Sequence, residues 1–218
     1  MTERVMVIAA HPDDEVLGCG GTMARHVADG DDVTCLFVAD GETSRTQAAK
    51  PNRNFEALEA SKILGTKPPL FLDYRDQMLD SLPLIEVIRL IEVHLFMIKP
   101  TIVYTHHAGD LNLDHRIVHQ AVMTACRPLP GSSINAIYGF EVLSSTEWGS
   151  GFWPNHFVNI SGAPIYIKLT ALKCYDSEMR DEPHPRSYNV VYNLERLRGA
   201  ACGMSYAEAF MTLRSIRR

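Results

Sequence analysis

The sequence predicts an α/β protein in which helices cover both faces of a mostly parallel sheet. Short runs rich in Val and Ile, typical of buried parallel strands, recur in the first half of the chain. Between them lie longer segments whose apolar residues recur every three or four positions, as in helices packed on a sheet. Strands that alternate with helices in this way favour a parallel sheet.

The first elements follow from local signals. Residues 5–10 form an apolar run, and Pro12 after it fits the first turn of a helix, where its missing N–H costs nothing. We predict that this helix covers 15–28 and that a second strand covers 33–39. A polar stretch without periodicity, 43–51, is predicted to be an exposed loop.

Four further elements continue the alternation. A helix over 52–64 ends before Gly65, a helix-ending residue, and Pro68-Pro69 introduces a strand over 70–72. The clearest helix spans 84–98, because its apolar residues recur at alternating steps of four and three. Beyond these segments we predict, in order, a strand over 101–105, a helix over 117–127, a strand over 136–143, a loop over 148–154, and helices over 164–179 and 193–204.

Length and composition limit the classes of protein. A chain of 218 residues, 46% hydrophobic and 22% charged, suits one soluble domain, 1–218. The net charge of −5, without a run of Lys or Arg, argues against a nucleic-acid or anionic-membrane surface. We expect no signal peptide and no membrane span, since the required apolar segments are missing.

The five cysteines are odd in number and lack C-x-x-C spacing. They are most simply reduced and mostly buried thiols, which predicts a cytoplasmic protein rather than a cysteine zinc cluster. They are Cys19, Cys35, Cys126, Cys174 and Cys202. Homo-oligomerisation stays open at this stage.

A histidine and three acids follow the first strand directly: His11, Asp13, Asp14 and Glu15. They fall at the carboxyl edge of the predicted sheet, where open α/β folds bind ligands. A histidine and a carboxylate three residues apart on such a turn can converge on one cation, and zinc accepts nitrogen and oxygen ligands. Acids at a helix start also act as partners of the helix dipole, so this segment alone leaves both interpretations open.

A second polar segment, 106–115, follows the fourth strand at the same edge. His115 can join His11 and Asp14 on one metal ion. Two histidines and one carboxylate leave a coordination position open for water, as in catalytic zinc sites. Asp13 is then free to take a proton from that water.

Three other histidines compete for this role. His106 and His107 lie close to the strand end and fit either ligands or substrate contacts. His119 is four residues after His115 on the predicted helix, but the pair lacks the glutamate of the H-E-x-x-H motif. For His119 we favour an ordinary, partly exposed histidine.

The segment 10–15, Ala-His-Pro-Asp-Asp-Glu, with the later Asp114-His115, resembles the PIG-L/LmbE-like family of zinc-dependent N-deacetylases. The resemblance extends from the first strand through the helix after His115, and the first motif is highly specific. It implies a Rossmann-like fold and activity largely on N-acetylglucosaminyl groups. The site that it implies consists of Zn²⁺ on His11, Asp14 and His115, the general base Asp13, and a further catalytic residue, Asp114.

Substrate contacts are carried over from the same resemblance. Arg53 and Glu56 match an R-x-x-E pattern that the family has in the helix after the second strand, so Arg53 is expected to bind sugar hydroxyls. Asp76 falls where the family places another sugar-binding acid, in a looser match. His107 is a third expected substrate contact, from its place near the end of the fourth strand and not from the resemblance.

One position departs from the family. The second motif is commonly His-Pro-Asp-His, but here residues 112–115 read Asn-Leu-Asp-His. Asn112 can donate a hydrogen bond to an oxyanion, yet it cannot transfer a proton at neutral pH. The leaving amine then takes its proton from Asp13 or from another acid such as His184, in a proline-flanked loop. His184 as an exposed loop histidine is the alternative.

These observations predict a zinc hydrolase that removes an N-acetyl group from a small-molecule amino sugar or its conjugate. One rival is a metal-dependent amidase or esterase acting on a non-sugar substrate, and the other is a non-catalytic ligand-binding relative. An intact Asp13 beside three intact ligands argues against the second rival. The loops over 43–51 and 141–156 contain no readable signal for the aglycone, although Trp148 could stack on a sugar.

Overall fold

The computed structural model of the chain describes residues 2–44 and 52–217. Its strands are β1 (Arg4–Ala9), β2 (Asp32–Ala39), β3 (Leu70–Tyr74), β4 (Ile102–His106), β5 (Ala136–Phe140), β6 (His156–Asn159) and β7 (Ala207–Ser215). Its helices are α1 (Asp14–Ala28), α2 (Arg53–Leu64), α3 (Leu84–Ile98), α4 (Leu113–Ala125), α5 (Ala163–Leu172) and α6 (Tyr188–Ala200). Residues 45–51 of the predicted loop lie outside this description.

The strands form one sheet in the order β3-β2-β1-β4-β5-β7-β6. Strand β1 lies between β2 and β4 and is parallel to both, and β3 and β5 extend the parallel part on either side. Strand β7 is antiparallel to β5 and β6. The prediction of an α/β fold with a mostly parallel sheet is therefore confirmed.

Helices cover both faces of the sheet because alternate residues of β1 point to opposite sides. Val5 and Val7 belong to an apolar cluster that includes residues of α1, α2, α5 and α6. Met6 and Ile8 belong to a second cluster with residues of α3 and α4. Among the described residues, no helix is long and apolar enough to cross a bilayer.

The C-terminal third differs most from the sequence-based expectation. The strand predicted over 136–143 stops at Phe140, and the helix predicted over 164–179 ends at Leu172 and continues as a 3-10 segment. Strands β6 and β7 were missed. Strand β7 reads Ala-Glu-Ala-Phe-Met-Thr-Leu-Arg-Ser, and its Glu208 points into the protein, which breaks the pattern expected of a buried strand.

Glu208 is tolerated because it belongs to a buried ionic cluster. Lys168 Nζ on α5 contacts Glu195 Oε1 on α6 and Glu208 Oε1, each at 2.6 Å, and donates to the carbonyl oxygen of Leu17 at 2.9 Å. The Glu208 carboxylate also accepts the backbone N–H of Thr22. The cluster ties α1, α5, α6 and β7 together, and a buried charge of this kind persists only when its partners are present.

The same cluster makes stability depend on pH. Burial and the neighbouring Glu208 raise the pKa of Glu195 to about 8, although Lys168 pulls it down. The folded chain therefore holds a proton that the unfolded chain releases above its own carboxyl pKa, so this stabilising contribution falls as the pH rises towards 8. We expect Glu195→Gln to match the wild-type melting temperature at pH 5 and to exceed it at pH 8.5.

The measurement is the melting temperature of both proteins across that pH range. Glu59→Gln is the matched control, because Glu59 pairs with Lys62 on the exposed side of α2. A constant difference between wild type and Glu195→Gln at all pH values would contradict the raised pKa.

Candidate metal centre

The sheet order brings the two polar segments of the sequence together. Strands β1 and β4 are neighbours and parallel, so the residues that follow Ala9 and His106 meet at the same edge. Helix α1 begins at Asp14 and α4 at Leu113, each within seven positions of the preceding strand end. The edge thus gathers the amino ends of two helices and the side chains of both motifs.

The turn between β1 and α1 holds Asp13 in an unusual backbone conformation, with φ of 115°. Such a positive φ is costly for a residue with a Cβ, so surrounding contacts must maintain it. The Asp13 backbone N–H donates to Glu15 Oε2 at 2.9 Å, and the Tyr175 hydroxyl donates to Glu15 Oε1 at 2.7 Å. Glu15 therefore fixes the turn from within the core.

His11, Asp14 and His115 form a buried group whose ligand atoms all lie within 4.8 Å of one another. Asp14 Oδ2 lies 3.3 Å from His11 Nδ1 and 3.2 Å from His115 Nε2. Asp14 Oδ1 is buried and has no hydrogen-bond partner among the described residues, and the buried His115 Nε2 has only its ion-pair contact with Asp14 Oδ2. Because unpaired buried polar atoms are costly, these atoms fit a group that holds a metal ion.

The electrostatics of the group also favour a cation. Burial alone would lower the pKa of His115, but the carboxylates of Asp14 and Asp110 outweigh it and raise that pKa to about 9. For Asp14, burial is likewise outweighed by His115 and His11, which hold its pKa well below the usual range. The group thus stabilises positive charge between its members, and a divalent ion can supply that charge.

Each histidine of the group is backed by a second carboxylate. His11 Nε2 lies 3.0 Å from Asp114 Oδ2, and His115 Nδ1 lies 3.2 Å from Asp110 Oδ1. The Asp114 carboxylate also accepts the backbone N–H groups of Gln77 (2.9 Å) and Leu79 (3.2 Å). Such carboxylate–histidine pairs fix the ring orientation at metal sites.

Asp110 was missed by the sequence analysis, although it lies in the predicted polar segment. Its Oδ2 accepts the Ser145 hydroxyl at 2.9 Å, so the loop after β5 holds it in place. Asp114 was predicted as catalytic, and it lies against the outer nitrogen of His11. From that position Asp114 can orient the His11 ring as a metal ligand.

The three competing histidines have other partners. His106 accepts the backbone N–H of Ala10 at 2.8 Å, and its ring stacks on His115 with centroids 3.9 Å apart. His107 Nε2 lies 2.7 Å from the Ser150 carbonyl oxygen, and His119 Nδ1 lies 2.8 Å from the His106 carbonyl oxygen. The structure therefore turns His107 towards the loop of Ser150.

Asp13 lies beside the group and contacts two arginines. Its Oδ2 is 2.8 Å from Arg186 Nη1 and 3.3 Å from Arg53 Nη2. The same guanidinium nitrogens lie 3.3 and 3.4 Å from the carboxylate of Glu178. Burial raises the pKa of Asp13 above its usual range, although Arg186 and Arg53 pull it down. Arg186 and Glu178 were not found from the sequence.

A cavity of about 150 Å³ opens over these side chains. It is lined by His11, Asp13, Gly41, Ser44, Arg53, Asp76, Gln77, Asn112, Glu178 and Arg186. The two predicted sugar contacts Arg53 and Asp76 are thus among the lining residues, and Asp76 Oδ1 lies 3.1 Å from His11 Nε2. His107 and His184 are not among the lining residues.

The remaining predicted residues lie as follows. Asn112 caps α4, since its Oδ1 accepts the backbone N–H of Asp114 at 2.9 Å. The Nδ2 donor of Asn112 is then available to a ligand in the cavity, which Asn112 lines. His184 Nδ1 accepts the backbone N–H of Arg186 at 3.0 Å, so His184 supports the loop from which Arg186 reaches the cavity.

The α/β fold and the buried group of His11, Asp14 and His115, which is able to hold a metal ion, fit a metal-dependent hydrolase. The chain belongs to the PIG-L family: the family model described as GlcNAc-PI de-N-acetylase matches residues 6–126, more than half of the chain. A relative from Escherichia coli (strain K12), described as uncharacterized deacetylase YaiS, is 32% identical over 178 residues, which cover 79% of this chain and 90% of that protein.

Two further proteins extend the comparison. The diacetylchitobiose deacetylase of Thermococcus kodakarensis is 27% identical over 94% of this chain and 81% of its own length. The crystal structure of the conserved protein TT1542 from Thermus thermophilus matches with a TM-score of 0.81 and 25% identity, over 100% of this chain and 97% of that chain. The sequence-based assignment to the family is confirmed.

Proposed function

We propose that the protein is a zinc-dependent deacetylase that removes an N-acetyl group from an amino sugar or an amino-sugar conjugate. The observation that carries the proposal is the buried group of His11, Asp14 and His115 with Asp13 beside it at the cavity. Two nitrogen ligands, one oxygen ligand and an adjacent carboxylate are the parts that metal-assisted amide hydrolysis requires. The relatives named deacetylases support the reaction type.

When bound, zinc supplies a Lewis acid that lowers the pKa of water to about 7 and polarises the acyl oxygen. Asp13 takes the proton of the attacking water. Its Oδ2 is engaged by Arg186 and Arg53, which leaves Oδ1 as the proton acceptor. The raised pKa of Asp13 makes it a stronger base than an exposed aspartate.

Asn112 stabilises the charge that develops on the acyl oxygen. Its Nδ2 donates to that oxygen, while its Oδ1 stays fixed in the helix cap. The amine nitrogen leaves as a neutral group only after it gains a proton, and Asp13 Oδ1 holds the proton taken from water. Asp13 therefore serves first as base and then as acid.

The sugar is held by the polar lining of the cavity. Arg53 is buried, yet its Nε–H has no hydrogen-bond partner among the described residues. An orphan donor at the cavity fits a ligand oxygen such as a sugar hydroxyl. Asp76 and Ser44 also line the cavity and supply further hydrogen-bonding groups.

Arg53→Lys is expected to raise KM for an N-acetylated sugar about fivefold and to change kcat by less. Lysine keeps the charge beside Asp13 but loses the planar fork and its Nε–H, so a hydrogen bond worth about 1 kcal/mol is lost. Steady-state kinetics on one sugar gives both constants. Arg25→Lys, at an exposed ion pair, is the matched control. An unchanged KM would assign Arg53 to the fold alone.

The function is tested by acetate release from a panel of N-acetylated sugars, N-acetyl amino acids and acetate esters, with the zinc content of the same preparation measured by mass spectrometry. We expect about one zinc per chain and release from N-acetylglucosamine or its conjugates. Release only from N-acetyl amino acids, or only from acetate esters, would favour a non-sugar hydrolase. Zinc without turnover of any compound would favour a ligand-binding relative.

A further inference from the structure

A buried tyrosine from the C-terminal part of the chain supports the turn that carries Asp13. Tyr175 lies in the 3-10 segment Lys173–Glu178, which continues α5, and it is fully buried. It falls outside residues 6–126, the part that the family model matches, and no step of the proposed reaction uses it. A buried tyrosine fills a core with its ring, and its hydroxyl needs a polar partner there.

The Tyr175 hydroxyl holds one oxygen of a buried carboxylate. It donates to Glu15 Oε1 at 2.7 Å, and Glu15 Oε2 accepts the backbone N–H of Asp13 at 2.9 Å. A carboxylate in the core needs donors for its oxygens, so loss of the hydroxyl would leave Oε1 without this partner. One carboxylate therefore links the Tyr175 hydroxyl to the backbone of Asp13.

The backbone that this link holds is strained. Asp13 has φ of 115°, which a residue with a Cβ keeps only where its surroundings maintain it. On the carbonyl side, the Asp13 oxygen accepts the N–H groups of Val16 and Leu17 at 3.1 and 2.9 Å, in the first turn of α1. On the amide side, the contact is the Glu15 carboxylate. If that contact loosens, φ can relax, and the Asp13 side chain then turns relative to His11.

The ring of Tyr175 supports Asp13 from a second direction. Arg53 Cζ lies over this ring, 5.6 Å from its centroid, a distance at which a guanidinium is attracted to an aromatic face. Arg53 Nη2 in turn lies 3.3 Å from Asp13 Oδ2. Tyr175 thus contacts two partners of Asp13, Glu15 at its backbone and Arg53 at its carboxylate.

We propose that Tyr175 is a positioning residue for the general base: through Glu15, its hydroxyl keeps Asp13 in the backbone conformation that presents the carboxylate to the cavity. This rests on the proposed function, because it takes Asp13 as the group that removes a proton from water. The ring supports Arg53, the expected sugar contact, and the hydroxyl controls Asp13. Proton transfer depends on the placement of the base, so loss of the hydroxyl should affect turnover more than substrate binding.

Tyr175→Phe tests the hydroxyl, because it keeps the ring. We expect kcat for an N-acetylated sugar to fall roughly 10- to 100-fold, the upper value being the cost of a misplacement of about 1 Å. We expect KM to stay near the wild-type value, since the ring still supports Arg53, and zinc content to stay unchanged. Wild-type kcat, or loss of zinc together with kcat, would overturn the proposal.

Tyr188→Phe is the matched control. The Tyr188 hydroxyl also donates to a carboxylate, Asp176 Oδ1 at 2.9 Å, but this pair is exposed and does not contact Asp13. We expect kcat and KM of the control to match the wild type. A loss of kcat as large as that in Tyr175→Phe would assign the effect to loosening of the segment after α5, and it would overturn the proposal.

The route through Glu15 is tested by Glu15→Gln, alone and combined with Tyr175→Phe. If the hydroxyl acts through Glu15, both changes disturb the same link, so the loss of kcat in the double variant is smaller than the product of the two single losses. Single losses that multiply would mean that Tyr175 and Glu15 act independently, which would overturn the proposal.

Hydrogen exchange gives a readout that needs no substrate. We expect the Asp13 backbone N–H, followed by NMR, to exchange at least about fivefold faster in Tyr175→Phe, the equivalent of one hydrogen bond of about 1 kcal/mol, while the N–H groups of β1 keep their wild-type rates. An unchanged rate at Asp13 would overturn the proposal. If the wild type releases acetate from no N-acetylated sugar, the proposed function fails, and the exchange rate still decides whether Tyr175 holds the Asp13 turn.

Discussion

His115→Ala is expected to lose bound zinc and deacetylase activity together. The variant leaves only His11 and Asp14 to bind the ion, and two protein ligands are fewer than a catalytic zinc site requires. Loss of an outer carboxylate partner at a metal site costs about 10- to 100-fold in affinity or activity, so loss of a ligand should cost more than 100-fold. Zinc content by mass spectrometry and amine release on the same sample measure both effects.

His119→Ala is the matched control for this variant. His119 lies one turn further along α4, and its Nδ1 contacts the His106 carbonyl oxygen instead of the ligand group. We expect zinc content and turnover of the control to stay near wild type. Full zinc occupancy in His115→Ala would contradict the ligand set and assign the third position to another histidine.

The group of His11, Asp14 and His115 could be predicted from the sequence because two rules of α/β folds apply to it. Apolar runs locate β1 and β4, and parallel strands end at a common edge. The residues that follow those strands therefore meet, although His11 and His115 are about a hundred positions apart. Packing distinguishes the histidines after β4, since His106 Nε2 accepts the backbone N–H of Ala10 whereas His115 Nε2 faces Asp14.

Arg186 and Glu178 could not be predicted in the same way. Arg186 lies 173 residues from Asp13 in the chain, in a loop whose proline-flanked sequence has no period. The sequence analysis chose His184 from this loop for its chemistry, but backbone geometry directs Arg186 into the cavity. The direction of a side chain in an irregular loop depends on tertiary contacts, and residue type does not encode it.

Strands β6 and β7 were missed for a related reason. An edge strand of four residues, His156–Asn159, is too short to show a pattern, and β7 carries a glutamate where a buried strand should be apolar. The buried charge of Glu208 is stabilised by Lys168, which is 40 positions away and was itself unremarkable as a helix residue. A local sequence pattern does not predict a buried strand where a long-range ion pair determines which residues are buried.

Asp13→Asn is expected to retain zinc and to lower kcat by roughly 10²–10⁴, the usual contribution of general acid–base catalysis. Asparagine keeps the shape of the side chain and can still accept from Arg186 and Arg53, but it cannot take a proton from water. Steady-state kinetics with zinc analysis separates this loss from loss of metal. Near wild-type turnover in the variant would remove Asp13 from the mechanism.

Glu178→Gln is the matched control, because Glu178 faces the same two arginines without adjoining a ligand in the chain. It removes one negative charge from the same network, so a comparable loss of kcat would assign the effect to charge balance instead of proton transfer. We expect the loss in Glu178→Gln to stay below about tenfold, because glutamine keeps an oxygen that accepts from both arginines and only the negative charge is lost.

His184→Ala decides which group protonates the leaving amine. If Asp13 returns the proton that it took from water, His184 is dispensable for the chemistry, and kcat and the alkaline limb of its pH profile stay unchanged. If His184 is the acid, the variant keeps zinc but loses kcat, and the alkaline limb flattens because that limb reports the essential acid. The position of His184 outside the cavity lining favours the first result. A zinc-loaded His184→Ala protein with kcat lowered more than about tenfold would assign the acid to His184 and leave Asp13 as base alone.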